Sequence, residues 1–104
     1  MIKRIWHGWT TPENADRYES VLLDEVIPAI RARDIDGFLG IEVLREDGDD
    51  EVEFITIMRF ESLESVKGFV GEDYERAHVP EVARRVLSRW DDRSRHYAVR
   101  LRES

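Results

Sequence analysis

The stretch from Gly37 to Phe60 constrains the fold more than any other part of the chain. Gly37 and Gly40 open it; Leu39, Ile41 and Val43 alternate with Gly40, Glu42 and Leu44; and the acidic run REDGDDE carries an Asp47-Gly48 turn signal. Residues 52–60, VEFITIMRF, then form a second strand, so the two segments read as an antiparallel hairpin. Val52, Phe54, Thr56, Met58 and Phe60 share one face of that strand, and Ile55 and Ile57 lie on the other, where a solvated face would alternate to polar residues. Such a strand needs cover on both sides. Helices can cover one side, and a second copy of the same sheet can cover the other, which predicts a homodimer whose two sheets close into a shared barrel.

The flanking segments supply the helices. Residues 2–10, IKRIWHGWT, are rich in β-branched and aromatic types and read as a strand. Thr11 before Pro12, with Glu13 next, is a helix start, and the spacing of Ala15, Tyr18, Leu22, Val26, Ala29 and Ile30 predicts one buried helical stripe over residues 12–33. Pro28 cannot donate to the carbonyl of Asp24 and should kink that helix near its last turn. After the hairpin, Ser62 gives a partial cap, Leu63, Val66, Phe69 and Val70 give an apolar helical face, and Gly71 breaks it. Tyr74, Ala77, His78, Val82, Val86 and Leu87 resume helical spacing, with Pro80 near a new start, and residues 94–102 alternate with Tyr97, Val99 and Leu101 on one side. The order strand, helix, strand, strand, helix, strand is that of an α+β, ferredoxin-like βαββαβ fold. A four-stranded antiparallel sheet carries both helices on one face. No linker, repeat or low-complexity tract interrupts it, so residues 1–104 are expected to be a single domain.

Composition excludes several functions. The net charge of −7, from 23 acidic against 16 basic residues, argues against nucleic acid or an anionic membrane as partner, and the arginines near the C-terminus interleave with Asp91, Asp92 and Glu103 as a solvated face does. With no cysteine there is no disulfide, thiolate nucleophile or zinc–thiolate site, and no apolar run is long enough for a membrane span, so a cytoplasmic location is expected.

The segments RIWHGWTTPENADRYESVLLDEVIPAI, GFLGIEVLRED, VEFITIMRFESLESVKGF and YERAHVPEVARR resemble the antibiotic biosynthesis monooxygenase family of the dimeric α/β-barrel superfamily. The most recognisable part is a strand ending in an aromatic, a short helix that starts with Ser and carries an aromatic, and a histidine about nine residues on: here Phe60, Ser62, Phe69 and His78. The resemblance implies a pocket between sheet and helices in each subunit. It also implies a function as a monooxygenase that acts on a small aromatic compound of the phenol, anthrone or quinone type without cofactor. Haem-degrading relatives ligate iron at the position of His78. They also carry an asparagine in the first strand and a tryptophan in the second helix, where this chain offers His7 or Trp6 and Phe69. The rival readings are a haem-binding relative and a non-catalytic dimer that binds a small ligand.

Within that frame His78 is the first candidate for a catalytic base and His7 the second, because imidazole titrates near working pH. Trp6, Trp9, Phe69 and Tyr74 are candidates to stack on a flat substrate and exclude water, although Trp6 and Trp9 point to opposite faces of a regular strand. Arg59 could stabilise an enolate or pair with Glu42 across the hairpin. His96 reads as an exposed or interface histidine, Trp90 as closing the edge of the core or the dimer, and no tight metal-ligand spacing is present.

Overall fold

A computed structural model describes residues 1–103. Strand β1 spans Ile2–Thr10, β2 Phe38–Asp47 and β3 Val52–Phe60, and two short strands, β4 Arg89–Trp90 and β5 Arg95–Ala98, follow near the C-terminus. β3 lies between β2 and β1, and both β4 and β5 pair with the far side of β1; every pairing is antiparallel. The expected ferredoxin-like order holds. The fourth strand is divided, because Asp91–Ser94 leave the sheet edge between Trp90, opposite Gly8, and Arg95, opposite Ile5. Residues 99–102, expected to continue that strand, lie outside it.

The hairpin forms, and Gly48–Glu51 make its connection because Asp47 still belongs to β2. Asp47 pairs with Val52, and Val52, Phe54, Met58 and Phe60 are buried on the helix side. At its open end Leu39 is an extra residue in a bulge between the pairs Phe38–Phe60 and Gly40–Arg59. Gly40 takes the positive φ of 151° that this bulge requires, and the space a Cβ would fill is occupied by the Arg59 guanidinium. Arg59 therefore lies over the backbone of Gly40. Glu42 stands opposite Ile57, and the expected pair between Arg59 and Glu42 is not formed.

The first helical region begins at Pro12–Asn14 as a 3₁₀ turn, with the Thr11 hydroxyl accepting from the Asn14 N–H. It continues as α1, Ala15–Val21, passes through a π turn at Leu22–Val26, and ends as α2, Ile27–Ala32. Pro28 supplies the cause. With no donor for the Asp24 carbonyl and a ring that crowds it, the turn widens, and the Ile27 N–H reaches the carbonyl of Leu22 instead. The extra residue delays the apolar stripe by one, so Ile27 and Ile30 are buried and Ala29, expected in the stripe, is exposed.

Helix α3, Leu63–Val70, starts at Ser62, whose hydroxyl accepts from the Ser65 N–H, and ends at Gly71 with φ 93°. The helix expected to resume at Tyr74 forms only as α4, Glu81–Arg84, behind Pro80. Residues 75–77 spend their backbone bonds elsewhere: the Ala77 N–H donates to Asp92, the Ser94 N–H donates to Glu75, and Arg76 bridges Arg93. The bulge in the fourth strand and the unwound stretch before α4 are thus two sides of one contact. The core lies between the sheet and the helices, built on Tyr18, Phe54, Phe60, Val66 and Phe69, and Trp90 packs against its edge. Among the described residues no helix is long and apolar enough to cross a membrane.

Candidate functional site

Alternation along β1 sends Arg4, Trp6, Gly8 and Thr10 toward the helices, and Ile5, His7 and Trp9 toward the open face. Arg4 and Trp6 form the floor of a cavity of about 40 Å³ between sheet and helices. Tyr18, Leu22 and Ile30 line it from the long helical region, Ile41, Thr56 and Met58 from β2 and β3, and Phe69 from α3, while His78 and Val79 come from the segment that leads into α4. The wall is mostly apolar. Its polar members are few and are held in place from outside.

Trp6 lies flat beside Gly8, where a side chain would strike its ring, and its indole N–H donates to the carbonyl of Asp91 at 2.8 Å. The divided fourth strand thus fixes the ring. Phe69 is the centre of the polar end. His78 meets its edge with ring centroids 5.0 Å apart and planes at 63°, and the guanidinium groups of Arg33 and Arg4 lie over it at 5.0 and 5.8 Å. Arg33 also donates to the Phe69 carbonyl at 2.8 Å.

His78 stands at the mouth, exposed on its outer side and turned inward on the other. Desolvation of the inner side, then the positive charges of Arg33 and Arg4, hold its pKa below the ordinary histidine value, with part of that effect screened by solvent. The ring is consequently neutral at neutral pH and able to accept a proton. Behind it, Arg4 is almost fully buried and binds the carbonyls of Tyr74 and Arg76 and the Nε2 of His96 at 3.0 Å. Arginine is always the donor, so His96 accepts through Nε2 and carries its proton on Nδ1. Burial and the charge of Arg4 lower the pKa of His96 in turn.

The structure brings three of the candidate residues together here: His78, Trp6 and Phe69. Tyr74 lies outside the cavity, its ring edge-on to His96 at 5.2 Å and beneath the Lys67 ammonium, and it meets the site only through the carbonyl that Arg4 holds. His7, Trp9 and Arg59 occupy the opposite face of the sheet. There the His7 Nδ1–H donates to Glu53 at 2.7 Å, His7 stacks on Trp9, and the Arg89 guanidinium covers the Trp9 ring at 3.8 Å while pairing with Glu51. His96, read as an exposed or interface histidine, is half-buried behind Arg4. The residue missing from the candidates is Arg4. Its signal was available, since it shares the phase of Trp6 two positions on.

Among the described residues no group of three or more His, Asp or Glu side chains is placed to hold a metal ion. Residues 1–81 match the family described as antibiotic biosynthesis monooxygenase. Among solved structures, the chain is similar to that of a candidate antibiotic biosynthesis monooxygenase from Bacillus cereus, with TM-score 0.67 and 15% identity over 99% of this chain and 96% of that one. At that identity the likeness is one of fold. No curated protein sequence matches the chain.

Proposed function

The chain belongs to the antibiotic biosynthesis monooxygenase family, and on that premise we propose that it is a cofactor-free monooxygenase of a small phenolic or quinol compound, with His78 as its base. The observation that carries this reading is the position of His78: a neutral imidazole at the mouth of an apolar cavity, edge-on to Phe69, with positive charge behind it. A phenolic hydroxyl set against the ring gives up its proton to the free imidazole nitrogen. The electron-rich anion then passes one electron to dioxygen, and the radical and superoxide combine to form a carbon–oxygen bond. The resulting peroxide takes the proton back from the imidazolium. The carbon that bears the peroxide also bears a hydrogen, and its loss as a proton together with the outer oxygen as hydroxide breaks the C–H and O–O bonds, so that one oxygen atom stays on the substrate as a carbonyl and the other leaves as water. Trp6 and Phe69 exclude solvent and supply flat surfaces for the ring.

Size narrows the substrate. Ligand cavities for drug-sized molecules run to roughly 300–1,000 Å³, whereas this one has about 40 Å³ and holds no more than a few waters as it stands. Side chains at the mouth must part to admit even one ring, which favours single-ring hydroquinones over tricyclic anthrones. Oxygen uptake with both classes, in buffer free of metal, flavin and haem, tests the reading. Uptake is expected with hydroquinones and is expected to fall about 100-fold or more in His78→Ala, the scale of a general base; uptake no faster than buffer, or unchanged in the variant, overturns it.

The functional unit in this reading is a homodimer. The open face of the sheet presents Ile5, Ile55 and Ile57 in adjacent positions, with Leu44 43% and Tyr97 48% exposed at their margins. A second copy laid across this face would bury them. Light scattering at micromolar concentration is expected to give twice the chain mass of 12.3 kDa, and a strictly monomeric mass rejects the dimer.

A further inference from the structure

Arg4 is the only charged side chain that is buried among the described residues, with 3% of its surface exposed. Its three hydrogen-bond partners are neutral: the carbonyls of Tyr74 and Arg76, and the unprotonated Nε2 of His96. They occupy three of the five N–H donors a guanidinium has. No carboxylate reaches it. Glu75, whose charge is felt at His96, is turned outward to Arg93 at 3.7 Å. The other charged or titratable groups at this end of the cavity are Arg33 over Phe69, which adds positive charge, and the neutral His78 at the mouth, so nothing offsets the cation. Burial alone lowers the guanidinium to about 10, still well above neutral pH, so the cation persists.

In a chain of net charge −7, a desolvated cation without a counter-ion, on the wall of a cavity, is an arrangement that a ligand can complete. We propose that the cavity is an oxyanion site in which Arg4 binds the ionised oxygen of an aromatic acid or phenolate, so that the protein takes aromatic anions in preference to their neutral counterparts. The inference rests on the proposed function in placing the ligand in this cavity, and it assigns Arg4 the charge that deprotonation by His78 creates. A cation preorganised in a mostly apolar pocket stabilises such a charge without reorganisation. A loop-tying role alone, through Tyr74 and Arg76, needs the N–H donors of Arg4 and not its charge.

The test is binding to the wild-type protein without turnover. Benzoate and its neutral isostere benzamide are titrated calorimetrically, and bound 4-nitrophenol is titrated by its absorbance. Benzoate is expected to bind at least about ten-fold more tightly than benzamide, or bound 4-nitrophenol to ionise about one unit below the free compound. A preference confined to benzoate assigns the site to carboxylates, and a shift confined to 4-nitrophenol assigns it to phenolates. Arg4→Lys should retain part of the preference, and Arg4→Met, with its fold checked by circular dichroism, should abolish it. Equal affinity for benzoate and benzamide with no shift of 4-nitrophenol, or no saturable binding of any probe, overturns the proposal. Anion preference without oxygen uptake would leave this inference standing and remove the oxygenase, and the reverse outcome would do the opposite.

Discussion

Gly8→Ala is the most informative single substitution, because it presses on the cavity wall without touching a polar group. An added Cβ would stand 2.9 Å from Cζ3 of Trp6 and 3.2 Å from Cδ2 of Leu87, with Cη2 of Trp6 nearer still. Carbon atoms in contact prefer about 3.5–4.0 Å. The indole cannot slide along the strand, since its N–H is held by the Asp91 carbonyl, and the free space beside it is the cavity it lines. The ring must tilt into that space. Overpacking of this kind costs roughly 1–3 kcal/mol, and the stiffer unfolded chain offsets about 0.4–1 kcal/mol, leaving a net loss of roughly 1–2 kcal/mol. At about 4–8 °C per kcal/mol for a small domain, the melting temperature should drop by roughly 5–15 °C. Differential scanning calorimetry measures the drop, and the same sample should show altered tryptophan emission and weakened binding of benzoate. An unchanged melting temperature together with unchanged probe binding would refute the placement of Trp6 against Gly8.

Phe69→Ala removes a ring that is 4% exposed and packed on Phe60; the expected cost is about 3–5 kcal/mol, read by urea unfolding. His78 and His96 have pKa values depressed below that of the unfolded chain. The native state therefore binds fewer protons than the unfolded state as pH falls below about 6.5, and stability should be full above that pH and decline beneath it. Melting curves from pH 7.5 to 5 test this: His96→Gln should flatten the decline, and a slope unaltered by the change counts against the burial of that ring. Ile57→Glu places a charge in the middle of the open face; the mass by light scattering should fall to that of one chain, with the far-ultraviolet circular dichroism retained.

The local patterns were legible wherever each residue's partners were set by strand pairing or helix period. β-branched and aromatic content marked β1 and β3, alternation marked β2, and the acidic run marked the turn that joins β2 to β3. Pro28 announced the disturbance in the first helical region but not its form. A π turn shifts the stripe by one residue, and no periodic reading distinguishes Ile27 from Ala29 before that shift is known. Residues 74–79 carried helical spacing, yet the backbones of Glu75 and Ala77 bond to Ser94 and Asp92, a pairing between distant segments that a period cannot express. The same limit applied to the site. Alternation put Trp6 and Trp9 on opposite faces but could not say which face the helices cover, because Lys3 and Arg4 give both phases a basic residue. The burial of Arg4, and with it the charge of the cavity, follows from carbonyls contributed by residues some seventy positions away.

Labelling with isotopically heavy dioxygen tests the central claim most directly. A hydroquinone incubated with the wild-type protein in chelator-treated buffer should yield a product that carries one heavy oxygen atom, with the second recovered in water, and His78→Ala should lose most of that incorporation. An unlabelled product with hydrogen peroxide released, or incorporation equal in the two proteins, would contradict oxygenation by His78 at this cavity.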